Sequence, residues 1–492
     1  MDKKAALLER FMRYAAISTQ SNLKAGCVPS NPREFELAEM LAGELREMGL
    51  EDVEVDEHAI VYSKLPSNLP EGTKAPVIGW VVHMDTVDVG LSPDVHPQVV
   101  KNYQGGDICL NKEKDIWLKT AEHPEIERYV GDDIVVSDGT SVLGADDKSA
   151  IANVMTALSI VTSQNRPHGD IHIVFVPDEE LGEQGARKMD FSKFPVDFAY
   201  TIDCCELGEV VWETFNAGNA KLTVKGVTAH PMSSKGVLVN PILVVHDFIN
   251  MLDRAETPEC TENREGFVVL KTMQANPSQA VLTMKVRDHN KALYERKKEK
   301  LVRAAEYLRF RHPKASIEIE LSDSYANIAD AVRDDNRVGI DYLYDALSTA
   351  GVEPKTIAMR GGTDGSYLSV KGILTPNYFT GAHNFHSNCE FLPMKSWEKS
   401  LEVTLAIIDL TAKNARGESL SERLKPVPVP VTVLQLAEMV HADRAFLSRI
   451  LSKWREAECF ERKGRRLLFS RAIFDICLCL EGRERLVRAP HP

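Results

Sequence analysis

The chain has 492 residues and a formal net charge of −13, with 43% hydrophobic and 27% charged residues. That length allows about three domains of ~150 residues and a substantial buried core, while the acidity argues against nucleic-acid binding by the whole surface. No stretch approaches the ~18 consecutive apolar residues that span a bilayer, and the charged, amphipathic start lacks the apolar core of a secretory leader, so a cytoplasmic protein is expected.

Residues 3–16 and 34–48 carry apolar positions at helical spacing. VIGWVVHMD (77–85) is a short β-branched apolar run and predicts a buried strand. The Gly- and Asp-rich segment from about 90 to 140 predicts short strands between turns. A helix is expected over 147–161, a strand over IHIVFVP (171–177), a helix from near Glu179 and a strand over FAYTID (198–203). Strands alternating with helices predict an α/β sheet covered on both faces. From about 215 to 326 the pattern changes: AKLTVKGV, AVLTMKVRD and SIEIELSD are strand-like, and 242–255 and 292–310 are helical. This predicts a small α+β insert, after which the α/β pattern resumes to about residue 414. KPVPVPV (425–431) alternates proline, favours an extended semi-rigid backbone and marks a boundary. The expected divisions are therefore 1–214 and 327–416 for one domain, 215–326 for the insert, 417–430 for a linker and 431–492 for a small C-terminal domain.

The nine cysteines are scattered without a C-x-x-C pair, which points to free thiols rather than a zinc ribbon or redox pair. Candidate metal ligands lie elsewhere. His83 and Asp85 stand two apart at a strand end, Asp146 and Asp147 precede a helix, Glu179 and Glu180 follow a strand, Asp203 ends a strand, and His386 lies in HNFHSN. Each alone has an ordinary structural explanation, such as a hydrogen-bonded core histidine or acids at a helix start. Their shared position counts for more: in open α/β sheets, ligands bind outside the carboxyl ends of strands. Two histidines and three carboxylates suit a pair of divalent ions bridged by one carboxylate, with zinc, cobalt or manganese as candidates.

The segments GWVVHMDTV, VLGADDKSAIA, PDEELGEQGA, YTID, GVTAHPM, RGGTDGS and FTGAHNFHS, in their order and spacing over roughly residues 3–414, resemble the peptidase T family of co-catalytic dinuclear zinc metallopeptidases. The resemblance implies a catalytic domain with an inserted lid and dimerisation domain, and removal of the N-terminal residue from short peptides, chiefly tripeptides. It implies His83 and Asp203 on one zinc, Glu180 and His386 on the other, and Asp146 bridging both. Asp85 would orient His83, and Glu179 would be the general base for a water bridging the two zinc ions. His230 would reach the active site of a homodimer partner, and Arg287 and Arg360 would hold the peptide carboxylate. Two features depart from the family pattern. Asp203 is followed by Cys204 and Cys205 instead of small glycines, and Cys389 stands where a second histidine is usual. These leave an acylamino-acid or dipeptide hydrolase as the alternative.

From Val431 onward, 12 Lys and Arg face 8 Asp and Glu, against 47 and 64 in the rest of the chain. A short helix from near Thr432, a basic amphipathic helix (445–458), a hairpin (459–470) and a closing apolar element (472–480) are expected. Their order, with LAEMV and FLSRILSKW, resembles the winged helix-turn-helix of the Crp family. That resemblance implies Ser448, Arg449 and Lys453 facing DNA and a peptide-sensing regulator as a further alternative.

Overall fold

In the computed structural model the described residues are 2–416, 460–463 and 466–469. The chain divides into two units, Met1–Ala415 and Arg416–Pro492.

The first unit is built on an eight-stranded mixed sheet. Its strands run in the order Glu51–Val55, Val61–Leu65, Ile171–Val176, Ile78–His83, Phe198–Cys204, Asn377–Phe379, Glu209–Glu213 and Lys355–Ala358. The middle four, from Ile171–Val176 to Asn377–Phe379, are mutually parallel, so their carboxyl ends open on one side. Every residue of Ile78–His83 and Ile171–Val176 is buried. That is why these strands read as apolar runs without alternation: both sheet faces are covered. Trp80 and Val82 point into the larger core with Phe175 and Tyr200, while Val81, Val174 and Ala199 pack into a second core on the opposite face.

Helices Lys3–Ala15, Ala145–Ser163 and Met394–Ala415 cover the first face. In Lys3–Ala15 the Asp2 side chain caps the start by accepting from the Lys4 and Ala5 amides at 3.1 and 3.3 Å. Leu7, Phe11 and Tyr14 form its buried stripe, and Phe11 meets Trp397 edge-on at 5.6 Å between ring centroids. The helix Ala145–Ser163 is buried almost all round, and it carries Asp146 at its start.

A second, antiparallel sheet has the order Phe267–Ala275, Gln279–Asp288, Asn216–Lys225 and Ser316–Tyr325. Helices Pro241–Asn250 and Lys291–Arg311 close one face over Leu222, Leu282, Met284 and Val286, with Leu301 packing from the second helix. The sequence pattern names three of its strands and misses Phe267–Ala275. That strand lies at the sheet edge with only Val268 buried, so it lacks the alternation that marks a half-buried strand.

The helix expected from Glu179 does not form. A turn follows Val176 instead, with Asp178, Gly182 and Glu183 at positive φ (54°, 91° and 60°) and a short 3-10 segment at Ala186–Lys188. Three left-handed residues within six positions end a right-handed helix before it starts. Of the C-terminal unit, the strands Phe460–Lys463 and Arg466–Phe469 pair antiparallel, with Lys463 opposite Arg466. Ser448, Arg449, Lys453 and the expected helices of the winged helix-turn-helix lie outside the described residues. The described cysteines, Cys27, Cys109, Cys204, Cys205, Cys260 and Cys389, are free thiols.

Candidate metal centre

The site grows from the carboxyl ends of the four parallel strands. His83 ends its strand, Glu179 and Glu180 follow Val176, Asp203 sits one residue before the end of Phe198–Cys204, and His386 lies in the loop after Asn377–Phe379. Asp146 enters from the helix start beneath them. Its peptide bond to Asp147 is cis, and both residues leave helical geometry.

Asp146 is the hinge of the arrangement. One carboxylate oxygen stands 3.0 Å from His83 Nε2 and the other 3.1 Å from His386 Nε2. Two donor groups result: His83, Asp146, Asp147 and Asp203, and Asp146, Glu180 and His386, each with ligand atoms within 4.8 Å of one another. Glu180 Oε1 lies 2.9 Å from His386 Nε2. The first group is nearly sealed from solvent, whereas the His386 side chain is 46% exposed, so the second group faces the opening.

Asp85 is fully buried. It lies 3.2 Å from His83 Nδ1 and accepts the backbone N–H groups of Glu179 and Glu180 at 2.9 and 3.2 Å. One carboxylate thus fixes the His83 ring and the two-glutamate turn together. Glu390, which no sequence pattern singles out, has a similar task. It accepts from the amides of Leu143 and Gly144 at 2.7 and 2.9 Å, and from that of Asp146 at 3.1 Å, so it holds the segment that delivers Asp146. Asp178 accepts from both the backbone amide and the hydroxyl of Ser30 and ties the turn to the N-terminal segment.

The electrostatics favour a cation. Burial, reinforced by Asp203, Asp364 and Glu180, pushes the Glu179 carboxyl well above the usual carboxylate range. Burial and Asp146 do the same for Asp203. Asp146 and Glu180 raise His386 to about 11, and hydrogen bonds to Asp146 and Asp85 raise His83 against the effect of burial. Asp364, at the first turn of the helix Asp364–Val370 and absent from the sequence reading, adds a buried carboxyl raised by burial to about 7, with Oδ1 unpartnered. Orphaned buried carboxylates cost several kcal/mol (roughly 1–3 each, more if charged) unless a cation is near. The donor set of imidazoles and carboxylates fits divalent ions, so the residues present suit a two-metal centre.

The other sequence candidates stand apart from this cluster. His230 is exposed on the loop before Pro241–Asn250, with Nδ1 accepting the Met232 amide at 3.2 Å. Arg287 lies over the Tyr325 ring, 4.9 Å from its centroid, with Nη1 buried and unpartnered. Arg360 donates to the carbonyls of Asn263 and Glu265 and to the Thr261 hydroxyl. Cys204 is buried, and burial raises its thiol and that of Cys205 well above the usual range; neither belongs to the two donor groups. Cys389 Sγ contacts the Trp117 carbonyl at 3.9 Å.

Comparison with known proteins agrees with this chemistry. The profile of Peptidase family M20/M25/M40 matches residues 143–410. A peptidase T-like protein of Rhizobium meliloti is 52% identical over 406 residues, covering 82% of this chain and 98% of that relative. The peptidase T of Caldanaerobacter subterraneus is 40% identical over 408 residues, covering 83% and 99%. Among solved structures, aminopeptidase PepT from Bacillus cereus superposes with a TM-score of 0.66 at 20% identity, covering 83% of this chain and 99% of that one. A tripeptidase from Staphylococcus aureus gives 0.65 at 21% identity.

Proposed function

The chain belongs to peptidase family M20/M25/M40, and we propose that it is a dinuclear zinc aminopeptidase that removes the N-terminal residue of short peptides, tripeptides above all. The carrying observation is the buried Asp146 carboxylate, one oxygen turned to each of two histidine–carboxylate groups, with Glu179 held beside it by Asp85. The names of the relatives, peptidase T and tripeptidase, support the substrate class.

We assign His83 and Asp203 to one zinc, Glu180 and His386 to the other, and Asp146 to both, with cobalt or manganese as substitutes. Ions bound there supply Lewis acidity, which polarises the scissile carbonyl and makes water acidic near neutral pH. Glu179 takes the proton of the attacking water and delivers it to the departing amine. Glu180 cannot share the task, because its side chain is turned to His386. Asp85 orients His83 and the backbone of both glutamates.

The insert over 215–326 is read as a lid and dimerisation domain. His230, exposed on its own chain, supplies an oxyanion donor to a second copy. Arg287 anchors the peptide carboxylate: its unpartnered Nη1 awaits an acceptor, and a guanidinium suits a carboxylate. Arg360 contributes through the N–H groups left free by its three loop contacts. For residues 431–492 the Crp-like reading, with DNA as partner, rests on sequence pattern and charge.

The direct test is hydrolysis of a tripeptide with a free N-terminus by the zinc- or cobalt-loaded protein, beside Glu179→Ala and an N-acylated peptide. Release of the N-terminal residue by the unaltered enzyme alone, with the acylated peptide spared, is expected. Turnover of the acylated peptide instead would move the assignment to an acylamino-acid hydrolase.

A further inference from the structure

The helices of the insert cover one face of its sheet and leave the other open. Along Gln279–Asp288 the buried residues Leu282, Met284 and Val286 belong to the core under the helices, so Thr283, Lys285 and Arg287 point the opposite way. The register sets Lys285 between Val269 and Asn219, and Arg287 between Phe267 and Ala217. A break in register between Leu270 and Thr272 adds Lys271 on the edge strand, close enough for its charge to act on Lys285. Three cations thus stand together, with Lys285 and Arg287 half-buried. Burial, then the charges of Arg287 and Lys271, lower the Lys285 ammonium below the usual lysine range. Among the described residues neither Lys271 nor Lys285 has a hydrogen bond or an ion pair, and Arg287 Nη1 is unpartnered. The nearby acids are engaged elsewhere. Glu183, whose carboxyl feels Arg287, is held by Arg187 at 2.8 Å. Glu320 lies 3.5 Å from Lys221, and Glu318 accepts the Ser316 hydroxyl at 3.1 Å.

A solvated surface lysine turns away from like charge, whereas a half-buried one beside two other cations costs stability until an anion arrives. The row also has a direction. Its Arg287 end adjoins the catalytic half: Tyr325, under the guanidinium, packs on Gly362, where a Cβ would lie 2.3 Å from the ring, and the Ser324 carbonyl accepts from Arg187 at 2.7 Å. Lys285 stands two residues farther along the strand, ~6.8 Å away at ~3.4 Å per residue. Arg287 is the anchor assigned above to the peptide's terminal carboxylate. A second anion one side chain's length beyond it fits the side-chain carboxylate of the same terminal residue. Resting on the peptidase reading, we propose that Lys285 and Lys271 form a subsite for an acidic side chain, so that the enzyme selects peptides ending in glutamate or aspartate. The two carboxylates of such a residue are joined by a short flexible chain, and the four-carbon stem of each lysine lets its ammonium follow them. Arg287 then fixes the end of the peptide, and the two lysines read what that end carries.

Two tripeptides that differ only in the last residue, glutamate against glutamine, test this with the metal-loaded full-length enzyme. The kcat/KM is expected to favour the glutamate peptide about tenfold, through KM, and the advantage should shrink as salt rises from about 0.05 to about 0.5 M. Lys285→Met should bring the ratio of the two peptides to within about twofold of unity, and Lys271→Met should lower it in part. A residue of merely structural importance would slow both peptides alike and leave their ratio as it was, so an unchanged ratio in both variants overturns the proposal. If Lys285→Met does not fold, Lys271→Met and the salt series on the unaltered enzyme decide. Equal kcat/KM for the two peptides in the unaltered enzyme overturns the subsite while leaving the peptidase reading intact, and hydrolysis of neither peptide removes both.

Discussion

Asp85 serves three partners with two oxygens: the His83 ring and the amides of Glu179 and Glu180. An asparagine keeps the shape but offers one acceptor and one N–H, so an amide donor would face a backbone donor. Asp85→Asn is therefore expected to lower zinc affinity and tripeptide turnover together by about 10–100-fold; unchanged zinc affinity would reduce Asp85 to a packing residue. Glu390 obeys the same logic at the other end of the site. Glu390→Gln, whose amide must face at least one of three backbone donors, should destabilise the fold by roughly 1–3 kcal/mol and loosen metal binding, as read by urea unfolding and zinc titration. His383 belongs to a different class. Burial depresses its pKa from 6.5 to about 4, and its ring stacks on Phe391 with Nε2 2.6 Å from the Tyr129 hydroxyl. Between those pH values the unfolded chain takes a proton that the folded chain refuses. The His383 contribution to stability should thus be constant above pH about 6.5 and fall by up to about 3 kcal/mol as pH drops towards 4. His383→Gln should flatten that slope in unfolding measured at several pH values; an unaltered slope would place the acid sensitivity elsewhere. Asp85 was legible because His and Asp two apart at a strand end form a known pattern. Glu390 was not, since its role depends on three amides more than 240 residues away in sequence.

The turn after Val176 shows where local reading stops. PDEE resembles the acidic first turn of a helix, and nothing in those four letters announces that Asp85, two residues past the end of the neighbouring strand Ile78–His83, takes both glutamate amides. The turn closes on itself instead. Gly182 and Glu183 donate to the Glu179 carbonyl at 2.8 Å, and Gln184 donates to that of Asp178 at 3.0 Å. Arg187 then clasps Glu183 and the Ser324 carbonyl at 2.8 and 2.7 Å, binding the turn to the edge of the second sheet. Gly185 allows this closure, for a Cβ there would lie 2.0 Å from the Pro177 carbonyl oxygen. Gly185→Ala must push the turn open, so we expect a loss of about 1–3 kcal/mol of stability and a drop in kcat from displacement of Glu179. A variant of full activity and stability would show that the turn relaxes freely. The apolar strands were readable for the opposite reason: their burial on both faces is written in their own residues, whereas the turn and the edge strand Phe267–Ala275 owe their form to partners remote in sequence.

At the scale of the molecule, alternation of strands and helices announced an α/β sheet, but the strand order did not follow from it. Asn377–Phe379, three residues long, enters between Phe198–Cys204 and Glu209–Glu213 and brings His386 to the site from the far end of the unit. Both donor groups and their supports, Asp85, Glu390 and Asp178, fall within Met1–Ala415. The relatives are covered over 98–99% of their length by 82–83% of this chain, so proteins of their size are sufficient for the shared fold. The residues beyond Arg416 also differ in charge sign from the acidic body. These facts together predict that a chain ending at Arg416 hydrolyses a tripeptide with kcat/KM within about twofold of the full chain, a difference of only ~0.4 kcal/mol, and binds the same number of zinc ions. A loss of turnover with zinc binding retained would show that the C-terminal unit acts on the catalytic step. Loss of both, with the truncated chain unfolded by circular dichroism, would make that unit a part of the fold.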